Sequence, residues 1–332
     1  MPGGLGHLTY VALGKETAWG AEVTPSIYIP VLSVKPEEKA DTAEDEALYG
    51  VVGLLPALRG AETVGIEMSL DARPQPLCHI LRSLCGPPTS TQPDATGHPN
   101  VWRHTFKWPR QNTFSEVCRP NPYTIDIFRD LETVVRRYPG CGVSKLGLAV
   151  STDNKLWRCE CSWVGKAWPS TQPKGSPTYP SVQPWMFSAT TVTVAGGAYS
   201  ELQELSLEID EKLEGQLLIA GSRVIEELLS SDMPEAVLSG TALPRSVTEY
   251  EAFRSYALRQ WEILATGETI SGTYTHQLKI VMPKVMYTDY PIPVSGPERL
   301  TADWKAAVYY DDASQAAIIF EITTTVPGSE LA

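Results

Sequence analysis

Residues 62–74, ETVGIEMSLDARP, alternate as a half-buried strand must: Ile66, Met68 and Leu70 fall on one face, Glu67, Ser69 and Asp71 on the other. Leu77, Ile80, Leu81 and Leu84 then recur at helical spacing, and Gly86 stands where such a helix would stop. The same succession returns later. EAVLSGTALPRSV (235–247) reads as the counterpart strand, and Tyr250, Phe253 and Ala257 as the counterpart helix face. Residues 144–165 read as a hairpin turning at Asp153–Asn154, and 299–326 as another turning near Asp311–Ser314.

These echoes have a register. A shift of 173 residues brings Leu32 onto Leu205, Glu38 onto Glu211, Val64 onto Val237 and Leu70 onto Leu243, without a gap from Leu32 to Leu84. The expected fold is therefore mainly β: two tandem domains, each of several strands around one short helix, related by internal duplication. The pattern divides the chain into an N-terminal arm (1–25), a first domain (26–168) with a long loop at 86–122, a linker (169–184) and a second domain (185–332). Pro169, Pro173, Pro177, Pro180 and Pro184 predict a stiff, extended linker. Residues 1–25, 40–60 and 86–122 are expected to be loose in the monomer.

Composition fits this picture. The 332 residues are 42% hydrophobic and 20% charged, enough to build a core in each half. No apolar run is long enough to predict a transmembrane helix, and the first residues do not predict a signal peptide. The net charge of −12, with no basic cluster beyond Arg136–Arg137, argues against a nucleic-acid binder. Cys78, Cys85, Cys118, Cys141, Cys159 and Cys161 read as reduced thiols, and Cys159-x-Cys161 as a core-facing pair on one strand face.

Chemistry is sparse. The chain carries no H-E-x-x-H, G-x-S-x-G, Walker loop or dinucleotide fingerprint. Glu204, Glu208 and Asp210 could suggest acid/base work, but i, i+2 spacing is also that of any solvated strand face. Asp41–Glu46 lacks the glycine and bidentate glutamate of a calcium loop. No enzyme, metal or cofactor is expected. Tryptophan is more telling: Trp102, Trp108, Trp157, Trp163, Trp168 and Trp185 gather around the long loop and the linker, and this residue type anchors interfaces. Trp102, His104, Phe106, Trp108, Trp168 and Trp185 are the interface candidates.

GKETAWG (14–20), then YIP (28–30), an acidic loop, a strand, a short helix closing on LCG (84–86) and HTF (104–106) in the long loop together form an ordered set. In this order the chain resembles, over nearly its whole length, the tail tube (major tail) proteins of long-tailed bacteriophages with non-contractile tails. The resemblance implies a β-sandwich or partial barrel with one short flanking helix for each domain, and rings whose inner sheets join into a closed β-barrel and stack into a hollow tube in the virion. Single-domain members form hexameric rings, so a duplicated chain would form a similar ring from three copies. Implied partners are the chain itself, the tape-measure protein and phage DNA in the lumen, and tail terminator and tail tip proteins; no membrane is implied. In such a ring Glu67, Asp71, Glu208 and Asp210, averted from the core, become candidates for an acidic lumen that repels phosphate. Two other classes stay open: a two-domain β-sandwich that binds carbohydrate or protein through an exposed aromatic groove, and a hydrolase with a scattered site in a deep pocket.

Overall fold

The computed structural model describes residues 6–43, 57–109, 121–131, 133–219, 222–294, 296 and 299–332. Strands make up 54% and helices 9% of the described residues, so the mainly β expectation holds.

The first half runs β1 (Tyr10–Lys15), β2 (Ile27–Ile29), β3 (Ser33–Ala43), β4 (Leu58–Asp71), α1 (Pro74–Cys85), β5 (Thr89–Thr91), β6 (Trp102–Trp108), β7 (Tyr123–Phe128), β8 (Val134–Ser151), β9 (Arg158–Gly165) and β10 (Ser170–Pro173). The second runs β11 (Thr190–Val194), β12 (Gly197–Ala198), β13 (Leu202–Asp210), β14 (Leu213–Gln216), β15 (Glu227–Ser230), β16 (Glu235–Ala242), α2 (Thr248–Arg254), β17 (Arg259–Ser271), β18 (Tyr274–Asp289), β19 (Ala302–Tyr309), β20 (Ile318–Thr324) and α3 (Gly328–Leu331).

Each half has two antiparallel layers that share one long strand. In the first half the layer β2–β1–β7–β8–β10 meets the layer β3–β4–β9–β8. In the second, β12–β11–β17–β18–β20 meets β13–β16–β19–β18. The order of pairings is the same in both. The shared strands carry matching bulges: one register shift lies between Tyr138 and Cys141 of β8, another between Met282 and Val285 of β18. Both enclose a proline, Pro139 and Pro283. In β8 the bulge also holds Gly140 at φ +62°, where a Cβ would come within 2.7 Å of the Lys166 Cβ.

Following partners from ladder to ladder outward from these bulges sets Trp163 against Ala306, Ile66 against Leu238, and Val34 against Leu205 as structural equivalents. The sequence register of 173 is therefore slipped. It matched Leu32 with Leu205 and Val64 with Val237, whereas the sheet places Val64 with Ala236. The one-residue offset at Val64 explains why Val64 is buried and Val237 only half-buried.

The core follows the alternation read from sequence. Ile66, Met68 and Leu70 are buried, as are Leu146, Leu148, Cys159, Cys161 and Trp163 of the same layer and Val11, Leu13, Ile125 and Ile127 of the opposite one. Helix α1 closes this half with Leu77, Ile80, Leu81 and Leu84 buried.

The expected loose segments are more ordered than their composition suggests. Tyr10–Leu13, assigned to an N-terminal arm, form a buried strand paired on both edges. Their apolar run explains why: a strand inside a sandwich reads as continuous hydrophobicity rather than alternation. Residues 89–91 and 102–108 of the expected loose loop form β5 and β6, and β6 pairs with β20 of the second half. Residues 40–43 and 58–60 lie in β3 and β4, while 44–56 and 110–120 of those stretches fall outside the described residues. Ser170–Pro173, the start of the expected linker, pair with β8.

Candidate functional site

The two halves meet edge to edge. Lys145–Ser151 of β8 pair with Glu204–Asp210 of β13. Two main-chain bonds extend that ladder: Glu211 N–H donates to the Ser144 carbonyl at 2.8 Å and Thr152 N–H to the Gln203 carbonyl at 3.1 Å. The two layers that meet at this joint thus fuse into one continuous sheet, β3–β4–β9–β8–β13–β16–β19–β18. Period-two alternation turns Leu146, Leu148, Leu205, Leu207 and Ile209 to the core and leaves a polar face on the other side.

All four lumen candidates lie on that polar face. Glu67 is exposed and pairs with Lys35 at 3.3 Å, and Asp71 pairs with Arg158 at 2.9 Å. Asp210 bridges the joint: its Oδ2 lies 3.0 Å from Lys145 Nζ and 3.1 Å from Lys212 Nζ. Partial burial pushes the Asp210 carboxyl up, but the Lys212 N–H and the two ammonium groups outweigh it and hold the group below the usual carboxylate range. Lys212 also reaches Glu235 at 2.6 Å. Glu208 is exposed, and with Glu160 and Glu204 it forms no ion pair among the described residues. Glu160 is the member that sequence reading missed: the hairpin at 144–165 puts its strand beside β8, but nothing local says that β13 joins the other edge of β8. Lys145, Glu160, Glu208, Asp210 and Glu235 line one open concavity of about 490 Å³ that spans the joint.

The interface candidates are covered by the chain itself, several of them between its halves. Phe106 is buried opposite Phe320, and the buried Trp108 donates its indole N–H to Glu211. His104 is buried, with Nδ1 hydrogen-bonded to Ser90 Oγ at 2.8 Å and Nε2 to the Val326 carbonyl at 2.9 Å. Burial pulls the His104 imidazole below its ordinary pKa. Trp102 is half-buried and stacks on His104. Trp185 is buried with its N–H toward the His276 carbonyl at 3.4 Å. Trp168 is half-buried, donates to the Lys39 carbonyl at 3.2 Å and carries the Arg59 guanidinium 3.9 Å over its ring. Of the nine tryptophans, Trp19, Trp102 and Trp168 are half-buried and the other six are buried.

Among the described residues, no group of three or more His, Cys, Asp or Glu side chains is placed to hold a metal ion. Five cysteines are buried free thiols; Cys118 lies outside the described residues. A shared hydrogen bond with Cys161 and burial push the Cys159 thiol well up, the reverse of what a reactive thiolate needs. No helix is long and apolar enough to cross a membrane among the described residues. The arrangement offers a long edge-joined sheet with one polar face, on which an open concavity spans the joint.

Comparison with known proteins agrees. A family model described as phage tail tube protein matches residues 6–324. A search of curated proteins returned no match.

Proposed function

Because this chain belongs to the phage tail tube protein family, and is thus a structural component of a virion tail, we propose that three copies of it form each ring of the tube and that stacked rings conduct the genome during ejection. The two halves act as copies of one tube domain, the expected 26–168 extended by β1 and β10 in one and 185–332 in the other, so that a three-chain ring has six like positions.

One observation carries this reading. Within the chain one half joins the other by edge pairing of β8 with β13, and this joint is taken as the pattern for addition between chains. Among the described residues, the remaining edges, β3 at one end and the end of β18 at the other, bear no further strand. An unpaired edge at each end of a continuous sheet invites the same addition between chains. Head-to-tail addition that turns through a fixed angle closes into a ring. The polar concave face then lines the channel, with Glu67, Asp71, Glu208 and Asp210 toward the lumen. The tape-measure protein and later the DNA occupy that channel without specific contacts, and tail terminator and tip proteins cover the two ends. The fold carries no catalysis in this reading, and assembly takes place in the host cytoplasm.

Negative-stain electron microscopy of the concentrated purified protein tests it. Rings or tubes with six-lobed end views, and three chains per ring by mass, are expected. A protein that stays monomeric at high concentration with tail initiator proteins added would overturn the reading.

A further inference from the structure

Within the chain, Lys145 of β8 pairs with Asp210 of β13 across the joint, N–O 3.0 Å. The equivalences fixed by the bulges assign each of these residues a counterpart at the chain's open edges. Lys145 corresponds to Asp289, since both directly follow a bulged residue, Ser144 and Thr288. Asp210 corresponds to Lys39, two ladders away from the same bulge. The charges are exchanged: cation on β8 and anion on β13 inside the chain, anion on β18 and cation on β3 at its open edges.

We propose that Asp289 of one copy pairs with Lys39 of the next, and that the exchanged polarity tells the joint between chains from the joint within a chain. This rests on the ring reading given above and adds its register and its means of discrimination. In the proposed ladder Val294 lies opposite Val34 of the next copy, as Val150 lies opposite Leu205 within the chain. Val294 is 79% exposed and Val150 only 8%, which is the difference expected between an open and a filled joint.

The prolines of Tyr-Pro-Ile-Pro-Val (290–294) fit the same scheme. They stand where Gly147 and Ala149 stand in β8. The Thr152 bond to Gln203 shows that even-numbered residues of β8 turn their main chain across the joint. Pro291 and Pro293 therefore lack an N–H only on the edge toward β19, and Tyr290, Ile292 and Val294 keep theirs for the neighbour. On the facing strand Pro36 stands where Leu207 does and withholds one donor. The joint between chains thus has a thinner ladder than the joint within, and depends more on side-chain pairing.

Discrimination follows from the charges. A first-half edge that captured the β3 of another copy would set Lys145 against Lys39. A β18 edge that invaded β13 would set Asp289 against Asp210. Both errors oppose like charges, whereas the correct joints each match opposite ones. In the single chain Lys39 is exposed and reaches only Glu37 among the described residues, at 3.1 Å; Asp289 is exposed opposite Lys305 in its ladder, without an ion pair.

The test uses the full chain and its ring-forming concentration, with circular dichroism to verify folding. Lys39→Glu and Asp289→Lys are each expected to raise that concentration roughly tenfold at low salt, with the loss shrinking at high salt. The double variant is expected to restore assembly to within about threefold of the original protein. With both charges reversed, a carboxylate on β3 would suit Lys145 and an ammonium on β18 would suit Asp210. These are the wrong joints that the original charges oppose, so the double variant is also expected to yield irregular aggregates beside rings. Singles that assemble normally, or a double variant that fails like the singles, would overturn the pairing while leaving the ring reading intact. Failure of the unmodified protein to form rings would overturn the ring reading instead.

Discussion

The Trp108 indole, on a strand inserted in the first half, donates its N–H to the Glu211 carboxylate just beyond β13 in the second. β6 around it forms a full ladder with β20. The two halves are thereby held by two sheet joints, β8–β13 and β6–β20, and not by a linker alone. Trp108→Phe keeps most of the bulk and removes the donor. It is expected to lower unfolding stability by about 1–3 kcal/mol, the range for a lost buried bond to a charged group. Urea titration checks it, and an unchanged midpoint would show that the bond contributes nothing.

Local patterns were legible in the sequence where a strand has one wet face. Ile66, Met68 and Leu70 against Glu67 and Asp71, the α1 face and the β8–β9 hairpin follow from periodicity alone. Residues 299–326 do turn where expected, closed by one bridge between Asp311 and Ala316, but they form no hairpin: β19 and β20 each pair with β18, in different layers, rather than with each other. What periodicity misses is partnership. Nothing local in WRHTFKW announces β20, so His104 and Trp108 read only as interface candidates, with nothing to say that the other half of the same chain would face them. The apolar YVAL of β1, buried on both faces, reads as nothing in particular beside its glycine-rich flank. The polar-face carboxylates were legible as such, but their cations were not: Lys145 and Lys212 reach Asp210 only because β8 and the turn after β13 meet there. The repeat was visible, yet its register slipped by one or two residues because chance identities such as Leu32/Leu205 outweighed burial phase.

Acid should act on the contact between α1 and α3. The buried His79 lies 3.1 Å from Glu330 and 3.2 Å from the Tyr123 hydroxyl. The bond to His79 holds the Glu330 carboxyl below its ordinary 4.5, against the opposing push of burial. A carboxyl depressed by folding adds stability that is complete above its unfolded pKa and is lost as pH falls through the folded one. Glu330→Gln should therefore be less stable than the original protein at neutral pH, with the gap closing as the pH falls below the ordinary carboxyl range. Thermal unfolding at a series of pH values measures this; a gap that stays constant would mean the charge is not involved.

The loop composition of residues 88–100 predicts that their deletion spares folding and blocks only tube growth. The structure changes that expectation. Thr89–Thr91 pair with Thr105–Arg103, Ser90 Oγ holds His104, and His98 Nδ1 lies 2.9 Å from Ser271 Oγ in the second half. Removing the segment strips an edge strand and leaves the buried His104 short of a partner, a loss of about 1–3 kcal/mol from that group alone. The deletion is expected to unfold at lower denaturant and to expose β6 to proteolysis. Stability equal to that of the full chain would restore the view of 88–100 as a free loop.

The lumen assignment is best tested away from the joint. Asp210 is committed to Lys145 and Lys212, and Asp71 to Arg158, so reversing either would disturb the sheet as well as the channel. Glu160 and Glu208 share the same concavity without an ion-pair partner among the described residues. Glu160→Lys with Glu208→Lys should leave folding and ring formation near normal, because exposed charges of this kind contribute little to stability. If the polar face lines the channel, the variant presents rings of lysine to passing phosphate in place of carboxylates that repel it. Genome release from particles with complete tails should then slow several-fold, and recover as salt rises and screens the attraction. If the face lies on the outer wall, DNA never meets these residues. Release at the normal rate and without salt dependence, from tails of normal length, would remove Glu160 and Glu208 from the channel and the polar face with them.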